Sequence, residues 1–166
     1  INQFLSDTEW GELDYLIIDM PPGTGDVALT LSHALPLAGA VVVCTPQEVA
    51  LLDPIKAISM FRKVNIPVLG MVENMSGFLC PDCGKTYDIF GRGGARAKAE
   101  ELHVPFLGGL PIDISLRTAG DEGRLAEVIE QDERARAPLE AVAKAVVRQL
   151  ASQAASRPAQ ASLPVL

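Results

Sequence analysis

The chain has 166 residues, 48% of them hydrophobic, and its 14 lysines and arginines against 21 aspartates and glutamates give a formal net charge of −7. A chain of this length can bury a single hydrophobic core, so we expect one domain that needs no disulfide bonds. The acidic balance argues against nucleic acid and anionic membranes as partners, because both attract basic surfaces. The longest apolar run, residues 34–44, contains Pro36 and is too short for a membrane-spanning helix, which needs roughly 20 residues.

The cysteines and the N-terminal residues bear on the compartment. The chain has 3 cysteines, and an odd number favours a reducing compartment, here predicted to be the cytoplasm, over a disulfide framework. Residues 1–10 contain neither the basic segment nor the apolar segment of a secretory signal. We therefore expect the cysteines to serve a metal or a redox reaction.

The order of the predicted elements indicates the fold class. Short apolar runs rich in β-branched residues predict strands over residues 15–19, 40–45, 68–72 and 104–110. None of these runs alternates polar with apolar residues, so each strand is expected to be buried on both faces. Helices are predicted over residues 26–35, 53–64 and 94–102, with Asp53 as the N-cap of the second. Strand followed by helix, repeated, predicts an α/β fold with a doubly wound parallel sheet.

The C-terminal part is predicted to be one helix followed by a tail. A single apolar stripe predicts a helix over residues 138–150 that covers a face of the sheet. Residues 151–166 are rich in Ala, Ser, Gln and Pro without periodicity, so we expect a disordered tail. The domain is thus predicted to cover residues 1–150.

The first predicted strand ends at Asp19 and is followed by the segment MPPGTGD. In open α/β sheets, ligands bind beyond the carboxyl ends of the strands. A carboxylate at this position can hold Mg²⁺, while the N–H group of Gly23 can face the terminal phosphate of a nucleotide. The alternative is that Asp19 only closes a turn, as aspartates at strand ends commonly do. The complete PPGTGD string favours the nucleotide site.

Two other glycine motifs fit their templates poorly. Residues 23–28, GTGDVA, match the dinucleotide fingerprint G-x-G-x-x-G/A, but residues 19–22 separate them from the strand and no acidic residue ends the next strand. A nicotinamide-dinucleotide site is therefore the less favoured alternative. Residues 84–86, GKT, resemble the end of a phosphate-binding loop, but the first glycine of that loop would have to replace Leu79. We interpret this second match as accidental.

Polar residues also follow the later strands. Asn74 follows the third strand, and its amide can donate and accept as recognition of an adenine edge requires, although asparagines at such positions often only form turns. The fourth strand leads into Pro111 and Asp113, where the backbone could contact the same base. Thr45 closes the second strand and could line the same pocket. We expect Asp19, Thr45, Asn74 and Pro111 to lie along one edge of the sheet.

Cys80 and Cys83 form a C-x-x-C motif in a glycine-rich segment. Such a turn points two thiolates at one metal, and its N–H groups stabilise the negative sulfurs. A thioredoxin-like motif would be followed by an amphipathic helix, which is not predicted here. A complete site needs four ligands, and Cys44 is expected to be buried in a strand, so two chains giving two cysteines each are favoured. An unoccupied thiol pair and half of a zinc ribbon remain alternatives.

Several segments together resemble one family. The strings DMPPGTGDVALTLS, TPQEVALLD, ENMSGFLCPDCG, IFGRGG and LPIDISLRTAGDEG resemble the Mrp/ApbC family of iron–sulfur carrier P-loop ATPases, and the likeness covers roughly residues 4–150. Members of that family begin with a strand and a GKGGVGKS-type phosphate loop, for which this sequence has no match. The chain is therefore expected to correspond to the C-terminal portion of such a protein, an N-terminally truncated P-loop NTPase domain.

The resemblance implies a deviant-Walker ATPase that uses ATP and Mg²⁺ in its full-length form. It also implies a homodimer that carries a [4Fe–4S] cluster bridged between two chains and delivers it to apo iron–sulfur proteins. By matching motifs, the implied roles are Asp19 as the Walker-B aspartate, Gly23 as the γ-phosphate sensor, Asn74 and Asp113 as neighbours of the base, and Cys80 and Cys83 as cluster ligands. The chain alone is not expected to hydrolyse ATP. The alternative is a metal-binding module without ATPase activity, in which the thiol pair binds iron–sulfur or zinc.

Overall fold

The computed structural model describes residues 7–21 and 26–156. The strands are β1 (Ala40–Cys44), β2 (Val68–Leu79), β3 (Thr86–Tyr87) and β4 (Phe106–Ile112). The helices are α1 (Asp26–Ala34), α2 (Leu52–Lys63), α3 (Gly94–Glu101), α4 (Ile114–Asp121), α5 (Leu125–Gln131) and α6 (Glu133–Ser156), and a 3-10 turn (Glu48–Leu51) precedes α2.

Strand β2 is the centre of the sheet. Strands β1 and β4 both run parallel to it, with Cys44 opposite Glu73 and Asn74 opposite Leu110. The short β3 pairs with the far end of β2 in the antiparallel direction. The predicted α/β class with a parallel sheet is confirmed, and β3 is an antiparallel addition to it.

The hydrophobic core lies between one face of the sheet and helices α2 and α3. Met71 in β2 and Ile58 in α2 are almost fully inaccessible, and Cys44 of β1 belongs to the same cluster. The neighbouring Val43 is 57% exposed, because successive side chains of a strand point to opposite faces. One face of β1 is therefore buried and the other is open to solvent.

Helix α6 packs against β4, as its apolar stripe predicts. The contact is close at Gly108, where a Cβ atom would lie 2.9 Å from Cγ2 of Val142. The helix begins earlier and ends later than predicted, so residues 151–156 are helical and the predicted tail does not begin at 151. Residues 157–166 lie outside the described residues. No helix in the described ranges combines the length and the apolar composition that crossing a bilayer requires.

The prediction of a buried strand over residues 15–19 is wrong for the described structure. These residues form no strand, and Ile17 is 91% exposed. A strand needs a partner for its backbone N–H and C=O groups, and none of the described strands pairs with this segment. Asp19 is therefore exposed and is not placed in the sheet, and Gly23 lies outside the described residues.

Three further differences concern local structure. Strand β2 continues seven residues beyond the predicted end at residue 72, to Leu79. Helices α4 and α5 occupy a stretch in which the sequence predicts no helix. Asp53 is not an N-cap, because the 3-10 turn leads directly into α2 and places this residue inside the first helical turn, where it pairs with Lys56 at 3.4 Å.

Candidate functional site

The carboxyl ends of the three parallel strands meet at one edge of the sheet, called here the carboxyl edge and marked by Thr45, Asn74 and Pro111. Thr45 directly follows β1, and the register between β1 and β2 brings it beside Asn74. Asn74 is opposite Leu110, so Pro111 lies one residue further along β4. The shared edge predicted for these three residues is confirmed, whereas Asp19 does not join it.

Asn74 lies at an irregularity of β2. Between Asn74 and Phe78 the register with β4 shifts, because four steps along β2 match two steps along β4, from Leu110 to Ile112. Met75 has a φ of 57°, and its N–H group donates to Oδ1 of Asn74 at 2.9 Å. The side-chain oxygen of Asn74 therefore supports the local bend of the strand.

Asp113 is the N-cap of helix α4. Its carboxylate accepts hydrogen bonds from the N–H group of Leu116 at 3.0 Å and from the hydroxyl of Ser115 at 2.5 Å. Partial burial raises the pKa of Asp113, but the hydrogen bonds from Ser115 and Leu116 outweigh it, so that the pKa lies below its ordinary value. The ionised carboxylate thereby fixes the backbone that follows Pro111.

Cys80 and Cys83 lie in the turn of the hairpin formed by β2 and β3. Strand pairing sets Leu79 opposite Thr86, and the turn is closed by a hydrogen bond from the N–H group of Cys80 to the carbonyl of Lys85 at 3.0 Å. A second bond runs from the N–H group of Gly84 to the carbonyl of Cys80 at 2.9 Å. We call residues 78–87 the thiol hairpin. It carries both thiols beyond the carboxyl edge, to the end of an extended strand.

The backbone of this turn changes the chemistry of Cys80. Hydrogen bonds from the N–H groups of Cys83 and Asp82, and from the side chain of Cys83, hold the pKa of Cys80 below its ordinary value. Cys83 itself is exposed. Thiolates, not thiols, ligate metals, so the turn presents an accessible sulfur pair whose chemistry suits metal ligation.

Cys44 differs from Cys80 in both burial and acidity. Its side chain is buried in the core, and its Sγ donates a weak hydrogen bond to the carbonyl of Val72 at 3.7 Å. Burial, with a smaller contribution from the charge of Glu73, raises its pKa from 9.0 to about 11. Cys44 is therefore a core thiol, as expected. Within the described residues no three His, Cys, Asp or Glu side chains form a group that could hold a metal.

Glu73 is a residue whose role the sequence reasoning missed. It is 4% exposed, and its carboxylate oxygens accept hydrogen bonds from the N–H groups of Gly93 at 3.3 Å and Ala95 at 2.9 Å. The sequence feature that could have revealed this role is an acidic residue placed directly after the apolar run VLGMV. A charged group is rarely buried in such a place unless a specific partner satisfies it.

Over residues 1–147 the chain matches the family described as NUBPL iron-transfer P-loop NTPase. The chain belongs to this family. The match favours the P-loop nucleotide interpretation of residues 19–28 over the nicotinamide one.

Relatives in the family carry names that agree with the match. The chain is 52% identical to an "Iron-sulfur cluster carrier protein" of Deinococcus radiodurans, over 100% of this chain and 47% of the relative. It is 52% identical to the "Iron-sulfur cluster transfer protein NUBPL" of Mus musculus, over 75% of this chain and 39% of the relative. The chain therefore spans less than half the length of these relatives.

A solved structure agrees with the fold. The nucleotide-binding protein from Archaeoglobus fulgidus, in complex with ADP, superposes with a TM-score of 0.68 and is 45% identical. The superposition covers 76% of this chain and 52% of that protein. This chain therefore shares its fold with that nucleotide-binding protein over the superposed region.

Proposed function

We propose that the chain is part of an iron–sulfur cluster carrier in which two copies hold one [4Fe–4S] cluster between them. The observation that carries the proposal is the pair Cys80 and Cys83 in the turn of the thiol hairpin, where backbone N–H groups lower the pKa of Cys80. A [4Fe–4S] cluster is held by four thiolates, and each chain presents two. The cluster is cargo that the protein hands to apo iron–sulfur proteins in the cytoplasm.

Exposure of the thiol pair supports delivery. Cys83 is exposed and Cys80 is half-buried, so a recipient protein can approach the sulfurs without unfolding the hairpin. A buried site of the Cys44 type would protect a cluster but would also prevent its transfer. The setting of the pair therefore favours a carrier over a protein with a permanent structural metal.

We also propose that the full-length protein binds ATP at the carboxyl edge and hydrolyses it. In the full-length protein, Asp19, which lies outside the sheet in this chain, is assigned to Mg²⁺, for which a carboxylate is a suitable ligand, and Gly23 is assigned to the terminal phosphate. Asn74, Pro111 and Asp113 are assigned to the base. Since the oxygen of Asn74 already accepts from Met75, we expect its NH₂ group to face the base.

One strand connects the two proposed sites. Cys80 is six positions after Asn74 and directly follows the end of β2, so the two residues are at most about 20 Å apart at the rise of an extended strand. A change in the nucleotide pocket therefore has a short, continuous path to the thiol hairpin. This arrangement supports a carrier whose hold on the cluster depends on the bound nucleotide.

The test of the cluster proposal is anaerobic reconstitution of the full chain with iron and sulfide. We expect visible absorption of a [4Fe–4S] cluster, an iron content of one cluster per two chains, and the mass of a dimer by light scattering. The variants Cys80→Ser and Cys83→Ser should lose the cluster, whereas the matched control Cys44→Ser should keep it, because only the first two thiols are accessible.

Two results would contradict this proposal. A colourless monomer that retains zinc through Cys80 and Cys83 would support the metal-binding module instead, since zinc uses the same sulfurs. Dependence of the cluster on Cys44 would show that the thiol hairpin is not the site.

A further inference from the structure

The segment that follows the thiol hairpin returns to the carboxyl edge. Strands β1 and β4 pair with the same stretch of β2, so they lie on its two opposite edges. Strands β3 and β4 both pair at Phe78 and are likewise on opposite edges. Strand β3 therefore lies on the same edge of β2 as β1. Residues 88–93, called here the return limb, connect β3 to the start of α3.

The end of the return limb is held by Glu73. Its two carboxylate oxygens accept the N–H groups of Gly93 and Ala95, which flank the first residue of α3. These donors have no partner inside the helix, because the first N–H groups of any helix point away from its own carbonyls. One buried side chain on β2 thus satisfies the N-terminus of α3 and ties the return limb to the strand that also carries the thiols.

Packing leaves this junction little freedom. A Cβ atom on Gly94 would lie 2.1 Å from the carbonyl oxygen of Pro46, so the backbone of α3 touches the segment that follows β1. Gly93 has a φ of 73°, a left-handed conformation that glycine adopts readily. The return limb therefore ends in one tightly specified place, and the carboxylate of Glu73 is the polar group that holds it there.

We infer that Glu73 is a positioning residue for the thiol pair: by fixing the end of the return limb it sets the orientation in which the hairpin presents Cys80 and Cys83. The inference rests on the proposed function, because it assumes that these thiols bind the metal centre. Strand β3 is only two residues long and pairs with β2 only at Phe78 and Leu79. The anchored return limb supplies the second constraint.

The test compares Glu73→Ala and Glu73→Gln with the wild-type full chain. Alanine removes both acceptors, whereas glutamine keeps one oxygen and turns an NH₂ group toward the other N–H, so we expect a graded effect. Hydrogen–deuterium exchange of residues 88–95 in the metal-free protein should be faster by about tenfold or more in the alanine variant, as expected for one or more lost buried hydrogen bonds. Titration of the alanine variant with Co²⁺ alone should show weaker Co²⁺ binding and altered thiolate charge-transfer bands compared with the wild type.

The matched control is Asp132→Asn. Asp132 accepts the N–H group of Arg134 at 2.9 Å at the start of α6, so this variant perturbs a carboxylate at another helix start, away from the thiol hairpin. We expect it to leave both the Co²⁺ spectrum and the exchange of residues 88–95 unchanged. Circular dichroism verifies folding, and Glu73→Gln carries the test if the alanine variant does not fold.

The possible outcomes separate the two proposals. Unchanged exchange of residues 88–95 in both Glu73 variants would overturn the positioning role, as would equal effects in Asp132→Asn. Absence of Co²⁺ binding by the wild-type chain would count against the proposed function, while the exchange measurement would still decide whether Glu73 holds the return limb.

Discussion

Two thiol environments in this molecule differ in almost every physical respect. Cys44 is in the core, on the buried face of β1, where burial raises its pKa to about 11. Cys80 is in a turn beyond the sheet, where the N–H groups of Cys83 and Asp82 lower its pKa. The covalent side chain is the same in both places. The surrounding backbone and solvent decide whether the sulfur is a small apolar core group or an anionic ligand.

The comparison shows that the secondary-structure element around a cysteine affects how acidic its thiol is. A strand on the sheet directs its N–H groups into the ladder, so they are not available to stabilise a sulfur anion. A tight turn leaves N–H groups that can point at a nearby sulfur. The C-x-x-C spacing matters because it places both sulfurs around such a turn.

The largest expected difference is in thiol reactivity. Burial lowers the thiolate fraction of Cys44 at neutral pH about a hundredfold, since its pKa rises from 9.0 to about 11. The lowered pKa of Cys80 acts in the opposite direction. We therefore expect iodoacetamide to modify Cys80 more than about a hundredfold faster than Cys44 in the metal-free protein. Peptide mass spectrometry over the course of the reaction measures the two rates.

Unfolding in urea provides the control for this measurement. Once the chain is unfolded, neither burial nor the turn persists, and the modification rates of Cys44 and Cys80 should converge. A native Cys44 that reacts within about tenfold of Cys80 would show that β1 opens easily or that the thiol is not buried.

The second effect is on stability at alkaline pH. The folded protein binds the proton of Cys44 more tightly than the unfolded chain does, because its folded pKa is raised. This stabilisation is complete below about pH 9 and is lost as the pH rises through about 11. The loss in the free energy of unfolding should be on the order of 3 kcal/mol. Urea unfolding at a series of pH values measures it.

A comparison with Cys44→Ala isolates the contribution of this thiol. Tyrosines and lysines also titrate in the alkaline range, but they are present in both proteins. The difference between the two stability curves should therefore shrink above about pH 9. Parallel curves for wild type and Cys44→Ala would contradict a raised pKa at this position.

The sequence predicted best what depends on short-range pattern. Residues 40–45 and 53–64 were predicted as a strand and a helix, and β1 and α2 agree to within one residue at each end. The C-x-x-C turn was likewise recognisable from its spacing alone. Each of these features is specified mainly by residues within its own segment.

The failures concern features that depend on distant partners. The apolar run at residues 15–19 is as strand-like as β1, but a strand forms only where another strand accepts its hydrogen bonds, and no described strand does so. Residues 73–79 contain polar side chains and a glycine, so the sequence predicts the end of the strand at residue 72, yet pairing with β3 and β4 makes them part of β2. The role of Glu73 was hidden for the same reason, since its partner Ala95 is 22 residues away.

The smallest expected effect is a change in the pKa of Cys80 when the turn of the thiol hairpin is strained. Gly84 has a φ of 68°, and a Cβ atom there would meet no other atom within 4 Å, so Gly84→Ala adds only backbone strain, about 1 kcal/mol. Its N–H group closes the turn onto the carbonyl of Cys80. Strain at this point should loosen the turn, and the pKa of Cys80 should rise back toward its ordinary value, as measured by the ultraviolet absorbance of the thiolate against Cys80→Ser.

Gly123→Ala is the matched control for that variant. Gly123 has a φ of 71° and equally open space around it, but it lies between α4 and α5, so its substitution adds the same kind of backbone strain in a turn that carries no thiol. We expect both variants to lose a similar free energy of unfolding and only Gly84→Ala to change the titration of Cys80. If both variants titrate as the wild type does, the turn is not the source of the lowered pKa, and the contrast between Cys80 and Cys44 rests on burial alone.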